Sequence, residues 1–529
     1  MAAFQDLWQK ACNEAAPDPA GAAGELIAAL AALLKVEQIE YAKLEGAAVF
    51  LLDLSSLGFC KMSLNVLMIA HPPSTALQAR QQVELLQEYK HAVHSVGFCF
   101  LLFLAESRLP QYSEIPEFLD AVLLSGSDLR RLFASHAIEG VFFELLRSQV
   151  SLEELNPFNT THEARGAMFR GRRSELHQIV SQLDTNFAVS GARRIGKTSL
   201  LRRAYDALRT QKAHRDRTFY FNCINWGNFW DCCDRLAHQI DPRREMRIEK
   251  GAKNIVYMLE RRSFKGSRPL LLFFDEIDRV IENDETSQWQ FFRIISEAMS
   301  ERWIRIAIAG YRSIALLALG MRQGSRQISA RSDTPLLDAL VTITLKPLSR
   351  SETQALFADP FKSVHITIRP EDGVLDRIWK GTGGYPYVVQ FYGERLFQAA
   401  SQRSPHEVLL LQDVDDFENS FEIDDFLLTH FLENTVDSRG PVSLERVCAF
   451  LLAHARGTLS WTEGQFSEAC RQHHGVVDPG ILHEALRNLI HAQVLVYSAG
   501  LFSFGLPRLR LVLHRSYPDL KALLFATYR

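Results

Sequence analysis

Twelve residues, VSGARRIGKTSL from Val189 to Leu200, restrict this chain more than any other stretch. They follow the apolar Phe187-Ala188-Val189 and lead into TSLLRRAYDALR, which has the leucine and charge spacing of a helix. Gly191, Ala192, Arg193, Arg194, Ile195, Gly196, Lys197 and Thr198 fit G-x-x-x-x-G-K-[ST] without a departure. Such a loop must aim several backbone N–H groups at one anion. Glycine at both ends permits the dihedrals and lets a phosphate approach the main chain. The helix that follows adds its positive N-terminus. Gly191 through Ser199 are therefore candidate nucleotide-binding residues, with Lys197 reaching the β- and γ-phosphates and Thr198 offering an oxygen to Mg²⁺.

A second motif arrives about 80 residues later. PLLLFFDEID is an apolar run ending in Asp275-Glu276, as expected of a buried parallel strand whose C-terminal end faces a ligand. Asp275 is a candidate Mg²⁺ ligand together with Thr198. Glu276 is the candidate base for the attacking water, with ATP or ADP as the nucleotide. DEID also resembles a helicase box, but no companion helicase motif occurs. The next apolar run, IRIAIAG, ends at Gly310-Tyr311-Arg312, and Arg312 is the candidate sensor of the γ-phosphate.

At 529 residues the chain exceeds a single core, and roughly three or four domains are expected. A formal net charge of −3 excludes a global basic field for nucleic acid. MAAFQDLWQK has no signal-peptide pattern, and the longest apolar run, VGFCFLLFLA, is too short to span a bilayer. No membrane association is expected. The eight cysteines form no CxxC pair, and Cys232-Cys233 reads as two core thiols. The 17 histidines show no HxxxH spacing. A reducing, cytoplasmic setting fits.

The apolar pattern divides the chain into four parts. Residues 1–155 read as a small α/β module, with AAVFLLDLSSL, SLNVLMIAH and GFCFLLFLA as strands. A polar linker, NPFNTTHEARGAM, follows from Asn156. Residues 165–348 carry the phosphate motif and further strands at TFYFN, LLLFFDE, IRIAIAG and VTITL. Alternation with helices predicts a doubly wound parallel sheet. Residues 349–419 read as helices only. Residues 420–529 read as three helices followed by VLVYSAGLFSFGLPRLRLVL, a hairpin, which together make a winged helix. The fold class is α/β.

At these motifs the chain resembles the P-loop ATPases of the AAA+ and STAND kind, the latter being signal-transduction ATPases with numerous domains. MFRGRRSEL resembles their segment before the first strand, which implies adenine contacts at Phe169, Gly171 and Arg172. GTGGYPYVVQFYGERL resembles the lid with Gly-x-Pro, here Gly384-Tyr385-Pro386, which implies that Pro386 folds over the nucleotide. The arginine-finger box of ring-forming relatives is missing, and Arg322, Arg326 and Arg331 have no distinguishing spacing. The resemblance thus implies a slow switch rather than a motor. ADP would hold the lid, and ATP would free a surface for self-association or a protein partner, in a setting such as prokaryotic defence or stress response. The alternative is a DNA-binding loader or transposition-type ATPase gripping duplex DNA through the winged helix.

DNA is the less favoured partner. The third helix, PGILHEALRNLIHAQ, offers only Arg487, and the wing end adds Arg508, Arg510 and Arg515. The first block loosely resembles restriction-endonuclease-like folds of the Mrr type. Asp53 could be their first acidic residue, but NVLMIAH supplies no Glu or Lys, and Glu88-Tyr89-Lys90 falls in a helix pattern. A sensor or interaction module is expected there rather than a nuclease.

Overall fold

The structure is a computed structural model. It describes residues 2–54, 57, 64–93, 98–106, 121–161, 163–164, 168–241, 252–266, 268–311, 339–403, 408–433, 444–455, 458–473, 475 and 477–519. These residues form two compact units. One comprises Met1–Arg170, Gln354–Asp376 and Gln390–Asp415, the other Gly171–Thr353, Arg377–Val389 and Asp416–Arg529.

The first unit opens with helices α1 (Ala2–Asn13) and α2 (Ala22–Leu34), then strands β1 (Glu37–Leu44), β2 (Ala47–Asp53) and β3 (Leu64–Ala70). Helix α3 (Ala76–Ala92) connects to β4 (Cys99–Phe103) and β5 (Ala121–Leu124), and helices α4 (Gly126–Ala134) and α5 (Ile138–Arg147) follow. The sheet runs β1-β2-β3-β4-β5. β2 is antiparallel to both neighbours, whereas β3, β4 and β5 run parallel. Alternate residues explain the packing. Val49, Leu51, Val66, Met68 and Leu101 share one face with Ala79, Val83 and Leu86 of α3. Thr75 caps α3 by accepting from the Gln78 N–H at 3.3 Å. β1 escapes the sequence reading because EQIEYAKL is mostly polar. It is an edge strand with Ile39 and Tyr41 exposed.

The expected polar linker is instead a docked strap. Phe158 is fully buried, with ring centroids 5.4 Å from Phe361, 6.1 Å from Phe357 and 6.3 Å from Phe397. Asn156 Nδ2 donates to Glu394 O at 3.0 Å, and Thr160 Oγ1 to Glu394 Oε2 at 3.1 Å. Gly393 allows the approach, since a Cβ there would lie 2.3 Å from the Phe158 ring. The expectation of helices alone over 349–419 also needs correction. Thr367–Arg369 and Val408–Leu410 pair as two short parallel strands.

The second unit contains helix α6 (Arg173–Ser181), strand β6 (Asn186–Ser190), helix α7 (Lys197–Arg209), strand β7 (Thr218–Asn222), and helices α8 (Phe229–Ile240) and α9 (Ala252–Gly266). Strand β8 (Leu270–Asp275), helices α10 (Asp278–Thr286) and α11 (Gln290–Ser300), and strands β9 (Ile304–Ala309) and β10 (Leu340–Thr344) complete its sheet part. The sheet order is β10-β6-β9-β8-β7, all parallel. Every residue of β8 is buried. Leu270, Leu272 and Phe274 face a cluster built from α8, α9 and α11, while Phe273 meets Tyr205 of α7 edge-on at 6.1 Å on the other side. Helices therefore cover both faces. β6 lies between β9 and β10, so the loop after it opens at the switch point where such sheets hold ligands.

Helices Leu444–Ala453, Glu463–His473 and Pro479–His491 lead to a hairpin of Leu495–Ser498 and Leu501–Phe504, with Ser460–Trp461 as a third strand. Ala499 (φ 51°) and Gly500 (φ 83°) make its two-residue turn. The second half of the expected wing is not strand. Pro507–Ser516 is a helix with Pro at its start, where a missing N–H costs nothing. The arginines expected on a wing are engaged by partners within the chain instead. Arg508 is buried against Glu418 at 3.1 Å, and Arg510 donates to Ala455 O at 3.1 Å and Ala453 O at 3.3 Å. Arg515 pairs with Asp424 at 2.6 Å.

Candidate phosphate-binding site

The loop after β6 turns on its two glycines. Gly191 has φ 148°, and a Cβ there would lie 3.1 Å from both Leu345 O and Ile195 Cγ2. Gly196 has φ 101° and stands at the N-cap of α7 with no side chain of its own to satisfy the free N–H groups. Ala192 and Ile195 are fully buried, whereas Arg193 and Arg194 project outward. Ser199 is buried in the first turn of α7.

Lys197 is buried, and its Nζ donates to Ala192 O at 2.8 Å and Gly191 O at 3.0 Å. Burial pushes its pKa down to about 8, against the pull of Glu276, Asp278 and Asp275. The ammonium is thus held at the loop by neutral carbonyls inside an acidic ring.

β8 delivers Asp275, 2% exposed. Tyr220 Oη donates to its Oδ2 at 2.6 Å, the Glu276 N–H donates to Oδ1 at 3.0 Å, and the Thr198 hydroxyl lies near enough to hold its pKa down. Burial raises its pKa, and these donors oppose the rise. The two residues expected to share a cation are therefore neighbours. Glu276 follows in the left-handed region at φ 53°, a conformation that costs a non-glycine residue free energy and recurs at functional sites. Burial first, then the neighbouring Asp275, raises its pKa.

Other candidates fall in different places. Gly171 has φ 72°, and a Cβ there would lie 2.6 Å from the Glu352 carboxylate. Arg172 is buried and donates to Ile195 O at 3.3 Å and to Lys346 O, bracing the loop from behind. Phe169 belongs to the first unit and is half-buried. Pro386 opens helix Pro386–Ser401, and its two neighbours reach the loop. Tyr385 Oη donates to Arg193 O, and the Arg194 guanidinium sits 4.0 Å from the Tyr387 ring centroid. Arg312, with Arg322, Arg326 and Arg331, lies outside the described residues.

The sequence reading missed Tyr220, Asp278, Tyr311, Tyr385, Tyr387 and His491. For Tyr220 the signal was present: it lies on the strand beside β8, whose partner register sets Asn222 opposite Asp275. Tyr311 stands next to Arg312 at the tip of β9, its N–H donating to Asp278 Oδ2 at 2.6 Å. In the first unit, Asp53 ends β2 opposite Leu64 of β3, a strand of sequence LNVLMIA without acid or lysine. Among the described residues no group of three or more His, Cys, Asp or Glu stands together as a metal site. Nor is any helix there long and apolar enough to cross a membrane. Cys232 and Cys233 are buried, and burial pushes both thiols up to about 12, as befits inert core residues.

The sequence of residues 181–316 matches the family model described as AAA domain. No curated protein matches the chain. Among solved structures, the Walker-type ATPase PABY2304 of Pyrococcus abyssi is 15% identical, with a TM-score of 0.50 over 68% of this chain and 99% of its own. Cdc6p from Pyrobaculum aerophilum is 15% identical, with a TM-score of 0.35 over 68% and 97%. The Aeropyrum pernix ORC1 protein, solved in complex with DNA, is 14% identical, with a TM-score of 0.35 over 67% and 94%. The matched stretch holds the phosphate loop and the acidic pair, and the fold is that of a P-loop ATPase core.

Proposed function

We propose that the protein is an ATP- and ADP-binding regulatory switch of the STAND type that hydrolyses ATP slowly. One observation carries this reading: C-terminal residues touch the backbone that frames the phosphate loop. His491 Nε2 donates to Tyr311 O at 2.9 Å, and Gln493 Nε2 donates to Leu345 O at 3.0 Å. With Tyr385 and Tyr387 on Arg193 and Arg194, these contacts give a bound nucleotide direct purchase on the lid helix and on the C-terminal helices, read here as a winged helix.

In this reading the N–H groups of residues 191–196 and Lys197 hold the β- and γ-phosphates, while Gly171, Arg172 and Pro386 frame the base. Thr198 and Asp275 suit Mg²⁺, since a hydroxyl and a buried carboxylate are hard oxygen donors on neighbouring elements. The ion supplies neutralisation of phosphate charge. Glu276 accepts the proton of the attacking water at its carboxylate, which burial and the neighbouring Asp275 make a stronger base than an ordinary glutamate. Arg312 is retained as a candidate for sensing the γ-phosphate. The product state would hold the lid and winged helix, and ATP would release them toward self-association or a protein partner in the cytoplasm.

The first unit fits a sensor module on a restriction-endonuclease-like frame, with one antiparallel strand in a sequential sheet and no acid or lysine on β3. The switch is favoured over a DNA-gripping loader because Arg508, Arg510 and Arg515 are engaged within the chain. The test is the mass of the full chain in ADP and in a non-hydrolysable ATP analogue, with and without duplex DNA. A switch changes mass with the nucleotide and ignores DNA. Hydrolysis stimulated by DNA, with steep salt dependence, would favour the loader.

A further inference from the structure

Tyr311 is tied to three different elements at once. Its N–H binds Asp278 at the start of α10, and its carbonyl accepts from His491 in the last turn of helix Pro479–His491. Its ring stacks on the His491 imidazole at 5.2 Å and 26°. The same ring has Arg193 Cζ 5.5 Å and Lys197 Nζ 5.6 Å from its centroid. Both cations belong to the phosphate loop.

We propose that Tyr311 is a positioning residue that relays the filling of the phosphate loop to the C-terminal helices, with His491 as its receiver. The proposal rests on the switch reading above and names the contact that does the switching. An aromatic ring attracts a cation through its quadrupole. A polyphosphate is a stronger partner for the same cations, through charge-assisted hydrogen bonds. As the anion draws Lys197 and Arg193 toward itself, the ring loses their hold, and the stack and hydrogen bond to His491 must readjust. Gln493, two residues further on, anchors to Leu345 O, the oxygen that closes against Gly191. The segment 491–493 therefore holds two residues, Tyr311 and Leu345, that themselves meet the lysine and the first glycine of the loop. Coupling of this kind is reciprocal, so loosening His491 must change nucleotide affinity by the factor with which nucleotide changes the docking.

The test is amide hydrogen exchange of the full chain in Mg²⁺ with ADP or a non-hydrolysable ATP analogue, for the natural protein and for Tyr311→Phe, Tyr311→Leu and His491→Ala. In the natural protein, exchange over residues 479–491 rises about five-fold or more with the ATP analogue relative to ADP, within the usual range of allosteric coupling. Tyr311→Phe keeps the ring and follows it. Tyr311→Leu and His491→Ala lose the response. His491→Ala also shifts ADP affinity by about five-fold while single-turnover hydrolysis of bound ATP stays the same, a split that a packing role would not give. A full response in Tyr311→Leu overturns the relay and leaves the switch standing. Should Tyr311→Leu fail to fold, a full response in His491→Ala does the same. Nucleotide binding to the natural protein with no difference in exchange overturns the switch, and the relay with it.

Discussion

The chain builds two five-stranded sheets, and one of them carries the phosphate loop and the acidic pair. Both contain a buried, nearly continuous apolar strand: β4 of the first unit and β8 of the second. Their ends differ. β8 closes on Asp275 and Glu276, with Thr198, Tyr220 and Lys197 gathered around them. β4 closes on Phe103, and Asp53 ends the antiparallel β2 at the opposite end of the strands, facing Leu64 at the start of β3. A parallel sheet supplies aligned strand ends; what happens there depends on the few residues just beyond the last hydrogen bond. The second sheet spends those positions on left-handed turns, a buried lysine and paired carboxylates, all of which cost folding free energy. The first spends them on structural contacts: His71 meets Glu14 O and Ser125 caps α4.

Substitutions should separate the two sheets. The largest effect is expected for Glu276→Gln, which should lower kcat by about 10²–10⁴ while MgATP binding persists, as measured by single-turnover hydrolysis beside an equilibrium titration. Equal kcat would remove Glu276 from the site.

Phe158→Ala should do the opposite. The loss of a fully buried ring from the Phe357, Phe361 and Phe397 cluster should cost about 3–5 kcal/mol, visible as an earlier thermal transition, with hydrolysis intact at low temperature. Hydrolysis lost in step with Phe158 would mean that the strap serves the site directly.

A smaller effect is expected from pH. Lys197 loses its charge as pH rises through about 8, and polyphosphate needs the charged form. ADP affinity should therefore be flat below that value and weaken by up to about tenfold per pH unit above it, until the anion's own pull on the proton is met. Lys197→Arg should flatten the profile. The stability sign is opposite: the folded pKa lies below the ordinary 10.5, so the contribution of Lys197 to folding improves as pH rises from 8 toward 10.5. Toward acid, hydrolysis should fall as Glu276 protonates above the usual carboxylate range.

The smallest effect is expected for Asp53→Ala, which should leave hydrolysis and nucleotide affinity unchanged in the same assays. Metal-dependent DNA cleavage that disappears in this variant would restore chemistry to the first sheet.

Local signals made the second sheet legible. Gly191 to Thr198 is contiguous, and LLLFFDE announces its own buried strand. The adjacency of Thr198 and Asp275 follows from those two motifs on neighbouring elements of one fold. The contacts that close the site were not legible. His491 reaches Tyr311 across 180 residues, and nothing in either neighbourhood marks the pairing. β1 was hidden because an edge strand need not be apolar. The strap was hidden because its polar composition satisfies Gln390 and Glu394 while one phenylalanine does the burying. The helix Pro507–Ser516 was read as strand because its apolar residues flank arginines at short spacing, and only the buried partners of Arg508 fix its phase.

The central claim is that the loop between β6 and α7 holds a nucleotide through Lys197. Calorimetric titration of the full chain with ADP and Mg²⁺, beside Lys197→Ala, tests it most directly. The account predicts one site in the natural protein and an affinity weakened by about 100-fold or more in the variant, the order expected when a charged partner of phosphate is removed. Equal affinity in the two proteins would contradict it.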